Sequence, residues 1–78
     1  LYMDKTIVFK NNMSIFLNEG TKFSVVPISN LKKLTISGAK WNLNEENVEA
    51  GSSKTLRNES VENQIMISCN EGLFSVIY

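Results

Sequence analysis

The tripeptide Asn-Glu-Gly occurs twice in this chain, and each copy lies between apolar runs. The second copy, residues 70–72, separates residues 65–69 from residues 73–78, two runs rich in β-branched and aromatic side chains. Two such runs joined by three residues that end in glycine are typical of a β-hairpin, in which the glycine takes a left-handed conformation. The sequence therefore predicts a terminal hairpin over residues 63–78.

Both faces of this terminal hairpin are mostly apolar in the predicted register. One face pairs Ile65 with Ile77, and the other pairs Met66 with Val76. Because a one-residue slip would exchange the two faces, the register decides which residues need cover. We expect this cover to come from the rest of the domain or from a second subunit. A homodimer is the simplest source of such a layer.

The first copy of Asn-Glu-Gly, residues 18–20, predicts a second hairpin between residues 13–17 and 21–26. In this register Phe16 and Lys22 lie opposite each other on the wetter face. The core-facing residues are Met13, Ile15, Leu17, Phe23 and Val25.

The residues before and after the first hairpin extend it. Residues 6–9 are rich in β-branched side chains and predict a short strand, and Asn11 and Asn12 predict a turn into the hairpin. A three-stranded meander is the expected arrangement. Pro27 ends its last strand or places that strand at an edge, because proline has no N–H to donate to a neighbouring strand.

The middle of the chain predicts one further strand. Residues 33–37 alternate apolar and polar side chains, which is typical of a half-buried strand. Gly38 then predicts a bulge or a bend. Residues 40–43 are expected to resume the strand, with Trp41 as its large anchor.

The segment 44–63 is markedly polar, and it predicts a loop or a short helical turn. Asn44 is a suitable N-cap, acidic residues follow it, and Gly51 would end the helix. Long loops in compact domains often carry function, so we expect partner specificity here. The candidate partner-binding residues, drawn from this segment, the first hairpin and the C-terminal end, are Phe16, Lys22, Glu45, Glu46, Glu49, Leu56, Arg57 and Tyr78.

Together these patterns predict an all-β fold, a small antiparallel barrel or sandwich of five to six strands built from two hairpins. With 78 residues, the chain is expected to be a single small domain over residues 1–78. Leu1 and Tyr2 precede Met3, a natural start. We expect these two residues to derive from cloning or from processing of a longer chain.

The residues available for catalysis are few. The chain has no histidine, one cysteine and one aspartate, so neither a histidine-based triad nor a structural zinc site can form. No glycine-rich phosphate loop is present. We therefore predict no enzymatic activity, no cofactor and no metal. Cys69 is expected to be a buried small hydrophobe, and the absence of a possible internal disulfide favours a cytoplasmic protein.

Two functions remain open. The first is a non-enzymatic protein-interaction or assembly module that self-associates or binds a protein partner. Abundant Asn, Lys and Ile are typical of AT-rich genomes, so this module could be a phage or mobile-element protein that inhibits a host protein. The alternative is a small OB or SH3-like barrel that binds single-stranded nucleic acid, with Phe16 stacking on bases and Lys22 on the backbone. A formal net charge of zero argues against this alternative.

Overall fold

A computed structural model describes the backbone of residues 6–78 and the side chains of residues 12–78. The expectation about Leu1 and Tyr2 concerns residues outside this range. Within the range the backbone forms six strands and no helix, which confirms the predicted all-β fold. The strands are β1 Thr6–Phe16, β2 Lys22–Pro27, β3 Leu31–Ser37, β4 Leu43–Val48, β5 Asn58–Glu59 and β6 Gln64–Ile77.

The long strand β6 organises a curled antiparallel sheet, a half-barrel. Along one edge it pairs with β1, from Phe16 opposite Gln64 to Thr6 opposite Ile77. Along its other edge it pairs first with β3 and then with β2. The order across the sheet is β4-β3-β6-β2-β5, with β1 on the remaining edge of β6. One strand thus connects every part of the fold.

The prediction of a terminal hairpin is wrong, because residues 70–72 lie inside β6 and do not reverse the chain. Asn12 pairs with Ser68 and Lys10 pairs with Leu73, so four residues of β6, 69–72, face one residue of β1. This is a large bulge, and it bends the strand where its partner changes from β3 to β2.

The bulge also changes which residues of β6 face the core. Ile65 and Ile67 before the bulge and Cys69, its first residue, are buried, whereas after the bulge Phe74 and Val76 are buried. The buried apolar positions are odd-numbered up to Cys69 and even-numbered after the bulge, where Ser75 is buried as well, so an unbroken register makes both faces look apolar. Two apolar faces were the reason to expect a second subunit. The bulge explains them within one chain, and the homodimer stays a prediction.

The prediction of the first hairpin is also wrong, because its two strands do not pair with each other, although the turn between them forms. The amide of Thr21 donates to the carbonyl of Asn18 over 3.1 Å, but β1 then pairs with β6, and β2 pairs with β5 and β6. Phe16 lies opposite Gln64, and Lys22 lies opposite Glu59. The core face was predicted correctly, since four of its five residues are buried and Ile15 packs against the core.

The predicted turn at Asn11 and Asn12 is absent, because β1 continues through both residues with a register shift between Lys10 and Asn12. The prediction of a three-stranded meander is therefore wrong. The shift is the β1 side of the same bulge in β6. Pro27 is the last residue of β2, as predicted.

The half-buried strand over residues 33–37 is confirmed as part of β3, with Leu34 and Ile36 buried. The strand does not resume at residue 40, since residues 39–42 form a turn and β4 begins at Leu43. Segment 44–63 holds β5 and most of β4, and turns rather than a helix connect them. A strand at the edge of a sheet needs few apolar side chains, which explains why this polar sequence is extended.

The core is a single cluster of buried side chains. Cys69 is a buried free thiol within it, as predicted. The core side chains are Met13, Leu17, Phe23, Val25, Leu31, Leu34, Ile36, Ala39, Val48, Ile65, Ile67, Cys69, Phe74 and Val76.

Candidate functional site

A buried asparagine holds the turn at residues 39–42 against β5. Asn58 is only 6% exposed. Its Oδ1 accepts hydrogen bonds from the amides of Trp41 at 3.1 Å and Glu59 at 2.9 Å. Its Nδ2 donates to the carbonyl of Trp41 over 2.9 Å. Both backbone polar groups of Trp41 are therefore bound by one side chain.

Further contacts fix the rest of this turn. The amide of Lys40 donates to the carbonyl of Glu59 over 2.8 Å, and Ala39 forms a β-bridge with Ser60. Within the turn, the Asn42 Oδ1 accepts a hydrogen bond from the amide of Ala39 at 2.9 Å. Contacts with β5 and contacts within the turn thus both hold the backbone of Trp41.

The indole of Trp41 itself points away from the core. It is 54% exposed, although tryptophan carries the largest side chain in the protein. The Nζ of Lys40 lies 4.9 Å from the centre of the Trp41 ring, a cation–π distance. A large aromatic side chain on a rigid backbone binds at low entropic cost, because little conformational freedom remains to be lost.

Two grooves adjoin this indole, and the first contains a carboxylate. We name it the carboxylate groove; its volume is about 370 Å³. Within it, Lys22 Nζ lies 3.5 Å from Glu59 Oε1. The lining residues are Lys22, Phe23, Trp41, Leu56, Arg57, Asn58 and Glu59.

The second groove, which we name the basic groove, has a volume of about 740 Å³. Three of its lining side chains are cations, and one of them, Lys54, forms an ion pair with Glu46 outside the groove. Trp41 and Arg57 line both grooves. The lining residues are Lys40, Trp41, Asn42, Leu43, Lys54 and Arg57.

Buried hydrogen bonds fix the loop at residues 49–57, which carries one wall of each groove. Thr55 Oγ1 donates to the carbonyl of Val25 over 2.6 Å, and the Val25 amide donates to the carbonyl of Thr55 over 2.9 Å. The hydroxyl of Ser24 donates to the carbonyl of Leu56. The loop is therefore fixed to β2 directly before Leu56 and Arg57.

A third depression lies between β1, β3 and β6 and has a volume of about 430 Å³. It is lined by hydroxyl, amide and apolar side chains around the exposed Met66. No cluster of three or more cysteine, aspartate or glutamate residues that could hold a metal occurs among the residues that the structure describes. These residues also include no helix long and apolar enough to cross a membrane.

Comparison with known proteins identifies the family. A family model described as the thiamin pyrophosphokinase vitamin B1-binding domain matches residues 5–74. The chain belongs to this family. A search of curated proteins finds no significant match.

Solved structures support the same fold. The chain superimposes on a thiamine pyrophosphokinase from Bacillus subtilis with a TM-score of 0.84 and 23% identity over 92% of this chain. For a thiamin pyrophosphokinase from Geobacillus thermodenitrificans the TM-score is 0.81 with 21% identity, again over 92% of this chain. The family protein from Enterococcus faecalis gives 0.80 and 16%, also over 92% of this chain. The match spans only 35%, 35% and 34% of those chains, respectively.

Membership of this family corrects the functional expectations. The non-enzymatic protein-interaction or assembly module, its variant as a phage or mobile-element inhibitor, and the nucleic-acid-binding barrel are all wrong, because the vitamin B1-binding domain belongs to an enzyme family. The prediction of no enzymatic role is wrong for the same reason. The small number of catalytic side chains led to this error, since a domain of an enzyme can bind a substrate without supplying the reacting groups.

Three of the predicted partner-binding residues meet in the carboxylate groove. They are Lys22, Leu56 and Arg57, which come from β2 and from the loop before β5. Their role in binding stays a prediction.

The other predicted partner-binding residues line neither groove. Glu46 contacts the edge of the basic groove through its ion pair with Lys54. Phe16 is 77% exposed at the end of β1, and Lys22, its predicted neighbour, pairs with Glu59. Glu45 lies in β4 and Glu49 follows it, both exposed, while Tyr78 packs against the core.

Sequence reasoning missed the two residues that define the site. Trp41 was interpreted as the anchor of a strand, although the glycine three residues before it indicates a turn as readily. Asn58 begins an Asn-Glu-Ser sequence that resembles a solvated glycosylation acceptor, and its burial depends on the packing of β5 against the turn. No local signal in the sequence indicates that contact.

Proposed function

We propose that this chain is the vitamin B1-binding part of a thiamin pyrophosphokinase, and that thiamin binds in the carboxylate groove against Trp41. The family description and the solved structures support the first part. Because the chain spans about a third of those structures, the transfer of a pyrophosphoryl group is proposed only for a larger protein that contains this domain. A cytoplasmic location remains a prediction, compatible with a free thiol.

The observation that carries the thiamin site is an exposed indole held rigid by Asn58 beside a carboxylate. Thiamin has a positively charged thiazolium ring and an uncharged aminopyrimidine ring. An aromatic face attracts a cationic ring, and the interaction strengthens as the pair is desolvated. The Glu59 carboxylate lines the same groove, where it lies 3.5 Å from Lys22 Nζ and can pair with the thiazolium in place of this lysine, and Leu56 supplies apolar contact for the pyrimidine.

Isothermal titration calorimetry with thiamin tests this site. Trp41→Ala removes the aromatic face of a residue that is 54% exposed and lies outside the core, so we expect a folded protein with affinity lowered about tenfold or more, as for a central aromatic contact. Phe16→Ala is the matched control, because Phe16 is an exposed aromatic residue that lines neither groove. Its affinity should stay within about twofold of the wild type. An equal loss in both variants would contradict the placement at Trp41.

A further inference from the structure

We infer that Lys22 competes with thiamin for the Glu59 carboxylate, so that the ligand enters the carboxylate groove by exchange, one cation for another. Lys22 thereby determines how tightly the groove binds a cationic ring. This inference rests on the proposed function, because it needs the thiazolium beside Glu59. It adds to that function a residue of the chain that limits the affinity of the site.

The lining of the carboxylate groove contains one carboxylate and two cations. Lys22 and Glu59 lie directly opposite each other in the pairing of β2 with β5, and Lys22 Nζ donates to Glu59 Oε1 over 3.5 Å. The second cation, Arg57, takes part in neither of the two ion pairs found among the side chains that the structure describes. In the protein without ligand, the carboxylate of the groove is therefore already paired.

The two partners of this ion pair are held to different degrees. The backbone of Glu59 is fixed, since its amide donates to Asn58 Oδ1 over 2.9 Å and its carbonyl accepts from the Lys40 amide at 2.8 Å. The Glu59 side chain is 32% exposed, whereas that of Lys22 is 74% exposed. The ammonium can therefore leave for solvent at little cost, because water hydrates it strongly and an exposed ion pair contributes little. The carboxylate stays in the groove.

An entering thiazolium ring meets Lys22 as a competitor. Two cations beside one carboxylate repel each other, so the ring pairs with Glu59 only as the ammonium leaves. Stacking of the ring on Trp41 favours this exchange. Because one ion pair replaces another, binding gains no ion pair overall, and the affinity stays below the value that an unpaired carboxylate would give.

Calorimetric titrations with thiamin at low and at high salt test this exchange. Lys22→Gln leaves Glu59 unpaired, so we expect thiamin to bind about fivefold more tightly at low salt, the order expected for one partly exposed ion pair. This gain should fall at high salt, because the variant forms a new ion pair on binding and salt screens it. The wild type exchanges one pair for another, so its affinity should change by less than about twofold over the same range.

A double variant separates exchange from simple repulsion between Lys22 and the ligand. In the Glu59→Gln background the lysine has no carboxylate to occupy, so adding Lys22→Gln should change the affinity for thiamin by less than about twofold. An equal gain from Lys22→Gln in both backgrounds would mean that repulsion alone is at work, and it would overturn the inference.

The control variant is Lys32→Gln, which removes an exposed charge of β3 that lines neither groove. Its affinity for thiamin should stay within about twofold of the wild type. Unchanged or weaker binding of thiamin by Lys22→Gln overturns the inference and leaves the proposed function standing. If neither the wild type nor any folded variant binds thiamin, the proposed function fails and the inference fails with it.

Discussion

The two Asn-Glu-Gly segments have the same sequence, but the first faces solvent and the second packs against another part of the chain. Residues 18–20 form a solvent-exposed turn, and a side chain added at Gly20 would meet no atom within 4 Å. Residues 70–72 lie within β6, where a Cβ at Gly72 would overlap the carbonyl oxygen of Asn30 and stand 2.6 Å from Leu31 Cδ2. Both glycines have positive φ, +86° for Gly20 and +119° for Gly72.

This comparison separates two uses of glycine. At Gly20 the residue relieves backbone strain alone, whereas at Gly72 it also permits close approach of the chain before β3. The sequence context, an apolar run on each side, is the same. The difference comes from the strands that pack against each copy, so the tripeptide by itself does not determine whether the chain reverses.

The largest effect is expected for Gly72→Ala. The added Cβ would overlap backbone that cannot rotate away, so β6 and the start of β3 must separate. We expect a loss of about 3 kcal/mol or more in the free energy of unfolding, as for a severe steric and backbone conflict. Urea denaturation followed by circular dichroism measures this loss. A cost equal to that of Gly20→Ala would remove the distinction between the two copies.

Ser60→Ala should have the next largest effect, because the side chain of Ser60 forms hydrogen bonds with the turn at residues 18–20 from a distant part of the chain. Its hydroxyl is buried; it donates to the Asn18 carbonyl over 2.6 Å and accepts from the Thr21 amide at 3.0 Å. Losing these bonds should cost about 2 kcal/mol in the free energy of unfolding. Ser68→Ala, at an exposed serine of β6, is the control and should be nearly neutral in the same urea titration. Equal effects would mean that the turn needs no such support.

Gly20→Ala should cost about 1 kcal/mol, since only the positive φ is unfavourable for alanine and the surrounding space is open. Gly20→Asn should cost less, because asparagine tolerates this conformation better. Thermal unfolding of the two variants checks this order. A reversal of the order would indicate that contacts, and not φ, govern the position.

The smallest difference in the free energy of unfolding is expected between variants of Glu71 and Glu19, the glutamates of the two Asn-Glu-Gly segments. Glu71 lies opposite Lys32 in the pairing of β6 with β3, whereas Glu19 is exposed in the turn. Glu71→Gln should lower the free energy of unfolding by about 0.5 kcal/mol at low salt, and Glu19→Gln should leave it unchanged. Denaturation at low and high salt measures both. A larger loss for Glu19→Gln would contradict this account of cross-strand pairing.

Much of the fold follows from the sequence because alternation is a local signal. Leu34 and Ile36 reveal the buried face of β3, and Phe23 and Val25 reveal that of β2. The pairing of strands was not predictable in this way. Each Asn-Glu-Gly segment favours a hairpin locally, and the competing pairing of β1 with β6 joins residues that are between 48 positions (Phe16 and Gln64) and 71 positions (Thr6 and Ile77) apart in sequence.

The site was predictable only in part for a related reason. Lys22, Leu56 and Arg57 could be proposed from polarity and position, and the structure brings them together. The backbone of Trp41 is held by hydrogen bonds with the side chain of Asn58, seventeen residues further along the chain. A buried amide in a polar segment cannot be distinguished from a solvated one by composition.

The most direct test of the central claim is a nuclear magnetic resonance titration of the ¹⁵N-labelled protein with thiamin. The chain has one tryptophan, so its indole N–H gives a single, unambiguous signal. We expect this signal, the Asn58 side-chain amide and the Glu59 amide to shift together, while the amides of Gly20 and Gly72 stay in place. Shifts centred on another surface, or no shift at saturating thiamin, would contradict the assignment of Trp41 as the thiamin-binding residue.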